Sequence, residues 1–436
     1  MINKELIKEM IVTFQLSLPR NITNREQIVR ADTGKIAVYV GVRRCGKSSS
    51  MYLTINNLMQ SGVDKKRILF LNFDDERLQF EQEDFDVIIQ AYSELYPEIE
   101  FANVYLFFDE IQVTNGWEQF IRRIYEQVNQ NIFLTGSNSK MLSSEIASSL
   151  RGRTLQTEYF PLSFNEYLLF RGASYNLYNT SDKALLIHYF DNYLSEGGFP
   201  ELVRFRENLN KEDAEKILQE YYFVMIFRDL VERYEIKNIP ALKYFLRRVL
   251  VNSTKPTSIR KIYNELKSAG IEASKNLLYQ WIDYVEQIYL FLPLSKLEPS
   301  FVKEHTGDKK YYCIDTGLYK ALNAQTTENK GVLLENAVFL HLRRQTSFQK
   351  KLNYFKGIRE CDFVLSKNET VEKLIQVSWD VTDNDTYKRE MEGLIEASNK
   401  LNCTDLTLIT KDQLNTVDYK GHTVNIVPAY RFFLNE

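Results

Sequence analysis

The chain has 436 residues, 44% hydrophobic and 26% charged, with a formal net charge of −3. That length exceeds one ordinary core, so two or three domains are expected, and the near-neutral charge excludes a global attraction to nucleic acid while leaving room for a local basic face. No apolar run approaches the roughly 20 residues that cross a bilayer, and the stretch from Met1 to Met10 carries Lys and Glu instead of a hydrophobic signal block. Cys45, Cys313, Cys361 and Cys403 show neither paired nor zinc-ligand spacing, and His188, His305, His341 and His422 are equally dispersed. A cytoplasmic protein with no membrane span, disulfide or structural zinc is expected.

Short apolar runs at residues 36–40, 68–73, 104–108 and 131–135 alternate with helical patterns, as in an α/β fold whose parallel sheet is covered by helices. The last run follows a predicted helix in which Phe120, Ile124 and Val128 recur every fourth residue. From residue 160 to about 233 the pattern is helical and aromatic, broken by turn-like segments at 196–200 and 211–213, and predicts a helical lid or connector. Three helix-length stretches follow between 238 and 299, with Ser258 and Ser274 at N-cap positions and an apolar run at 288–294, an order that predicts a winged helix-turn-helix. A helix at 333–346, strand-like runs at 363–365 and 374–377, a further helix and a run at 406–409 predict a separate α/β domain. The expected boundaries are 1–158, 159–235, 236–325 and 326–436.

The first run leads directly into Gly41-Val42-Arg43-Arg44-Cys45-Gly46-Lys47-Ser48, a full P-loop pattern, and then into a helical stretch from Ser49. Phosphate binding needs small residues so that successive N–H groups turn toward the anion, and a helix N-terminus whose partial positive charge favours it. Gly41, Arg43, Arg44, Cys45, Gly46, Lys47, Ser48 and Ser49 are therefore the candidate ATP-binding residues, with Lys47 reaching the β- and γ-phosphates and the Ser48 hydroxyl serving Mg²⁺. The third run ends in Asp109-Glu110: Asp109 would hold Mg²⁺ directly or through water, and Glu110 would activate the attacking water as general base. Asn138 or Ser137, after the fourth run, would sense the γ-phosphate or else cap a helix. Arg151 and Arg153 would neutralise transition-state charge, in cis or across a subunit interface. Asn72 and Asp74 are read as packing and turn residues, with gating of Glu110 as the alternative.

Together these motifs resemble a known family, the AAA-type P-loop ATPases of bacteria and archaea that carry a winged helix and a conserved C-terminal domain of unknown function. The resemblance rests on residues 41–48, Phe-Phe-Asp-Glu-Ile-Gln at 107–112, Leu-Thr-Gly-Ser-Asn-Ser at 134–139, Leu-Arg-Gly-Arg at 150–153, Pro-Leu-Ser-Phe-Asn-Glu-Tyr at 161–167 and Gly-Gly-Phe-Pro-Glu at 197–201. It implies an AAA-like ATPase domain at 1–158, then the lid, the winged helix and the C-terminal domain, with ATP and Mg²⁺ as cofactors and an oligomer as a possible assembly. It does not supply a substrate.

A predicted helix capped by Ser274 would expose Lys275, Asn276, Tyr279 and Gln280 and turn Leu278, Trp281 and Val285 inward, so that Lys275, Asn276, Tyr279 and the nearby Arg260 become candidate DNA contacts. Winged helices in AAA-type ATPases also serve as packing or nucleotide-sensing modules. The C-terminal domain resembles the restriction-endonuclease-like fold, which implies acidic metal ligands; Glu335, Glu360 and Asp362 occupy plausible positions. Gln376 and Ser378 depart from that family's acidic-x-Lys element, so a vestigial nuclease site at Glu335, Asp362 and Gln376, or a nucleic-acid platform, is expected. Three outputs are compatible with these residues: an ATPase working on DNA, an ATP-dependent switch that binds a protein client and no DNA, and an ATP-gated nuclease, which the departures disfavour.

Overall fold

The first apolar runs become a parallel sheet in the computed structural model, which describes residues 3–19, 22–78, 80, 84–137, 150, 152–323 and 329–435. Contacts divide the chain into two compact units, Met1–Phe160 with Gln287–Tyr289, and Pro161–Glu286 with Leu290–Glu436. The first unit runs α1 (Lys4–Leu16), β1 (Ile36–Gly41), α2 (Lys47–Gln60), β2 (Ile68–Asn72), α3 (Asp86–Leu95), β3 (Tyr105–Asp109), α4 (Trp117–Gln127), β4 (Ile132–Gly136) and β5 (Thr154–Tyr159). Its strands are all parallel, in the order β2-β3-β4-β1-β5. β1 to β4 are buried on both faces, which is why each reads as a continuous apolar run. β5 is the edge strand, Thr-Leu-Gln-Thr-Glu-Tyr, half-exposed and without such a run.

The helix α1 was also unanticipated. Asn3 accepts from the Glu5 N–H as N-cap, Ile7 and Ile11 enter the core, and Gln15 Nε2 donates to the Ile68 carbonyl at 2.8 Å. Because β4 lies between β1 and β3, the ends of these three strands emerge side by side at one edge of the sheet, the edge where such sheets place ligands.

The second unit opens with α5 (Phe164–Phe170), α6 (Thr180–Glu196), α7 (Pro200–Phe205) and α8 (Lys211–Val224), which continues into a π-helical stretch, Met225–Glu232. Residues 211–213, read from sequence as a turn, are the first turn of α8: Asn210 accepts from the Asp213 N–H, and Glu212 and Asp213 suit the positive end of the helix. Next come α9 (Ile239–Val251), β6 (Pro256–Thr257), α10 (Ile259–Ser268), α11 (Lys275–Gln287), β7 (Phe291–Leu294), α12 (Phe301–Thr306) and β8 (Lys309–Cys313), whose strands pair antiparallel in the order β6-β8-β7. Then α13 (Thr316–Leu322), α14 (Lys330–Arg343), β9 (Lys350–Lys356), β10 (Glu360–Lys367), β11 (Thr370–Val377), α15 (Asn384–Leu401), β12 (Leu406–Thr410), β13 (Asn415–Tyr419), β14 (His422–Pro428) and α16 (Ala429–Phe433) build a mixed six-stranded sheet in the order β13-β14-β12-β11-β10-β9.

The Gly-Gly-Phe-Pro segment is explained by packing within this unit. Gly197 has φ +81°, and a Cβ there would meet Asp315 Oδ1 at 2.0 Å; one on Gly198 would meet the Leu162 carbonyl oxygen at 2.6 Å. Asp315 accepts from the Gly198 N–H at 2.7 Å and, as N-cap of α13, from the Leu318 N–H at 2.8 Å.

Candidate nucleotide-binding site

The P-loop begins where β1 runs out under β5. Gly41 has φ +152°, and a Cβ there would stand 2.0 Å from the Tyr159 carbonyl oxygen, so only glycine lets the chain leave the sheet at this point. Arg44 (φ +66°) and Gly46 (φ +97°) curl the loop back, and α2 starts at Lys47 with Gly46 as its N-cap. A helix start capped without a side chain leaves its first N–H groups for an anion.

Lys47 is buried, and its ammonium donates to the Gly41 and Val42 carbonyls at 3.1 Å each and stands 3.7 Å from Glu110 Oε1. The Ser48 hydroxyl lies beside the Asp109 carboxyl and favours its ionised form. Thr135, at the end of β4, ties the acidic pair together: its hydroxyl donates to Asp109 Oδ1 and accepts from the Glu110 N–H at 2.8 Å. Glu110 adopts φ +52°, an uncommon conformation for a non-glycine residue, and Gln112 Nε2 donates to its Oε2. The Ser137 hydroxyl is buried beside the same carboxylate, favouring its ionised form without the alignment of a hydrogen bond.

These surroundings push the two carboxyls apart. Burial raises the Asp109 carboxyl, with neighbouring Glu110 as the next cause. Burial also acts to raise Glu110, but Lys47 and then Arg43 outweigh it, so Glu110 lies below its ordinary value. An ionised Glu110 is the form a general base requires. The loop's glycine cradle and the paired Ser48 hydroxyl and Asp109 carboxylate have the donor chemistry that Mg²⁺–ATP needs.

Asn72 Oδ1 accepts from the Asp74 N–H at 3.0 Å, and Asp74 pairs with Arg43 at 3.7 Å, which is a turn and a loop contact. Cys45 is buried and its thiol is pushed up by burial; all four cysteines are free. Arg153 requires a correction as a cis catalytic residue. It directly precedes β5, whose first residue Thr154 pairs with Ile36 at the start of β1, so it stands at the opposite sheet edge from the P-loop; there it ion-pairs with Glu126. Asn138 and Arg151 lie outside the described residues.

Two contributors escaped sequence reading. Thr135 was visible only as part of a motif. Arg25, in a segment with no helical or strand pattern, is buried and donates to the Cys45 carbonyl at 2.7 Å and the Phe160 carbonyl at 2.9 Å, fixing the P-loop against the end of β5.

The second unit brings together Glu335 on α14, Asp362 on β10 and Gln376 on β11. Gln376 Oε1 accepts from the Asp362 N–H at 3.2 Å, its Nε2 donates to Glu390 at 2.6 Å, and Asp362 Oδ2 accepts from the Val377 N–H at 3.1 Å. They line a cleft of about 1020 Å³ whose walls include Lys255, Lys330, Arg359 and Arg389. Burial, followed by Glu335, pushes the Asp362 carboxyl above its ordinary value. Ser378 turns its hydroxyl to the Asp380 carbonyl at 3.0 Å. On α11, Lys275, Asn276, Tyr279 and Gln280 are exposed while Leu278, Trp281, Ile282 and Val285 are buried, and Ser274 Oγ accepts from the Leu277 N–H at 3.1 Å. Arg260 is exposed on α10. Ser258 holds the N-cap position of α10 without a side-chain capping bond. Among the described residues no helix is long and apolar enough to cross a membrane.

A family model described as an AAA domain matches residues 33–168, and one described as a domain of unknown function (DUF8612) matches residues 187–329. The uncharacterized protein MJ1544 of Methanocaldococcus jannaschii is 36% identical over 451 residues, spanning 100% of this chain and 96% of that protein. An uncharacterized protein of Haemophilus influenzae is 28% identical over 355 residues, spanning 81% of this chain and 84% of its own. Among solved structures, the Walker-type ATPase paby2304 of Pyrococcus abyssi aligns with a TM-score of 0.41 at 14% identity, over 74% of this chain and 96% of that one. The chain belongs to the same family as MJ1544, and its N-terminal part is a P-loop domain of the AAA type.

Proposed function

We propose that this protein hydrolyses ATP and uses the cycle to rearrange its second unit. The observation that carries the reading is the convergence of Lys47, Ser48, Asp109 and Glu110 at one sheet edge, with the Ser48 hydroxyl beside Asp109 and Lys47 3.7 Å from Glu110. On nucleotide binding Lys47 exchanges the Gly41 and Val42 carbonyls for β- and γ-phosphate oxygens. Ser48 and Asp109 would hold Mg²⁺, which would supply charge neutralisation across the phosphates. Glu110, no longer drawn to Lys47, takes a proton from the water that attacks the γ-phosphorus, and ADP leaves. Ser137 orients the γ-phosphate from the β4 side. Phosphate release by the wild type with Mg²⁺–ATP, lost together with nucleotide binding in Lys47→Ala, tests the reading; turnover retained in Lys47→Ala refutes it.

For the output we read the α9–β8 segment as a winged helix-turn-helix and the 326–436 region as a restriction-endonuclease-like domain, from their element order. The split of α11 into a polar exposed face and a buried apolar one favours DNA as the partner. Binding that weakens with salt and with Lys275→Ala and Arg260→Ala supports this. Absence of DNA binding, with ATP still changing assembly, points instead to a switch that acts on a protein client.

A further inference from the structure

A nuclease-like centre at Glu335, Glu360 and Asp362 would hold a divalent cation, yet the cation these carboxyls meet belongs to the chain itself. Lys310, on β8 of the three-stranded sheet, reaches across to α14 and β10. Its Nζ lies 2.7 Å from Glu360 Oε1 and 3.3 Å from both Glu335 Oε1 and Asp362 Oδ1, and its side chain is 0% exposed. An ammonium has three N–H donors and no lone pair. Two of those donors hydrogen-bond Glu335 and Asp362, Glu360 pairs with the ammonium by charge, and the Tyr354 ring, with its centroid 5.4 Å from Nζ, lies against the group as well.

The rest of the oxygen shell is also committed. Glu335 Oε1 accepts from the Tyr312 hydroxyl at 2.8 Å, and Asp362 Oδ2 from the Val377 N–H. Gln376, which stands where a further acidic ligand would be expected, spends its carbonyl oxygen on the Asp362 N–H and its amide nitrogen on Glu390. Mg²⁺ demands oxygens at about 2.0–2.1 Å in near-octahedral geometry, and a buried ammonium among the same oxygens leaves no room for it. Among the described residues no group of three or more His, Cys, Asp or Glu is arranged to hold a metal. A divalent ion therefore does not fit this centre.

We infer that Lys310 is the resident cation of the C-terminal centre, a side-chain substitute for the divalent ion that leaves the domain metal-independent and joins β8 to α14 and β10. The expectation of a metal rests on the nuclease-like reading; the geometry of Lys310 does not. Like that metal, the ammonium balances the carboxyls. Unlike it, an ammonium has no coordination position at which to bind and activate water, so the centre performs no metal-assisted phosphodiester hydrolysis.

The test is Mn²⁺ uptake by the nucleotide-free full chain, followed calorimetrically in the wild type, Asp362→Asn, Lys310→Ala and the double variant. Wild type and Asp362→Asn should give the same isotherm, which subtracts any ion held near Ser48 and Asp109. Folded Lys310→Ala should take up one more Mn²⁺ per chain, lost again in the double variant. Wild-type uptake that disappears in Asp362→Asn overturns the inference while strengthening the nuclease-like reading; folded Lys310→Ala with no gain also overturns it. Should Lys310→Ala fail to fold, the wild type against Asp362→Asn decides alone.

Discussion

Asp315→Asn is a perturbation whose effect should change with pH. Asp315 is fully buried, caps α13 through the Leu318 N–H and receives the Gly198 N–H on its other oxygen. Burial pushes its carboxyl up to about 6 from the ordinary 3.8, against the pull of those backbone donors. A folded-state pKa above the unfolded one means that the native protein binds the proton more tightly, so stability is fully present below pH 3.8 and is lost as pH rises through 6. The interval between the two values corresponds to roughly 3 kcal/mol at neutral pH. Asparagine removes that ionisation but offers one acceptor for two N–H groups. Keeping the helix cap, it orphans the Gly198 N–H at a cost of about 1–3 kcal/mol. The expectation is a variant close to wild-type stability at pH 7.5 and clearly less stable at pH 4.5. Asp315→Ala, which orphans both donors, should be destabilised at either pH. Urea unfolding followed by tryptophan fluorescence measures both. A difference between Asp315→Asn and wild type that does not vary with pH would refute the reasoning.

Gly41→Ala should lower nucleotide affinity at least about tenfold, because the new methyl meets the Tyr159 carbonyl oxygen at 2.0 Å and the loop must leave the sheet edge; fluorescent-nucleotide titration checks it. Arg153→Ala should leave kcat within about twofold and cost about 0–1 kcal/mol of stability, as for a partly exposed ion pair; a hundredfold fall in kcat would place this arginine in another subunit's site. His341, whose pKa burial lowers to about 4, has the opposite slope to Asp315: its contribution is present above pH 6.5 and is lost as pH falls toward 4, by roughly 3 kcal/mol. His341→Leu should flatten that limb in urea titrations between pH 7 and 4.5, and an unchanged limb contradicts it.

The candidate nucleotide site was legible because its chemistry is local. A loop of fixed spacing followed a buried strand, and an acidic pair closed another, so Lys47, Ser48, Asp109 and Glu110 could be named before the sheet order was known. The edge strand β5 was not legible, since a half-exposed strand has no apolar run, and α1 was hidden because Lys4, Glu5, Lys8 and Glu9 interrupt its apolar residues. Arg25 and Lys310 act through contacts that are distant in sequence, Arg25 on the carbonyls of Cys45 and Phe160 and Lys310 on Glu335, Glu360 and Asp362, and no periodicity announces such pairs. Arg153 shows the converse error. Its motif fitted a catalytic arginine, but strand register sets it at the far end of β5. In the C-terminal centre Gln376 and Ser378 were visible from the sequence as the absence of an acid and a lysine, while the lysine that meets the carboxyls, Lys310, lies 52 residues before Asp362.

The central claim is that Glu110 turns a phosphate-binding loop into a hydrolase, and it is tested most directly by measuring ATP binding and steady-state turnover side by side in Glu110→Gln. Removal of a general base should lower kcat by about 10²–10⁴-fold while Mg²⁺–ATP still binds with near wild-type affinity. Turnover at the wild-type rate in the Glu110→Gln protein would contradict the account.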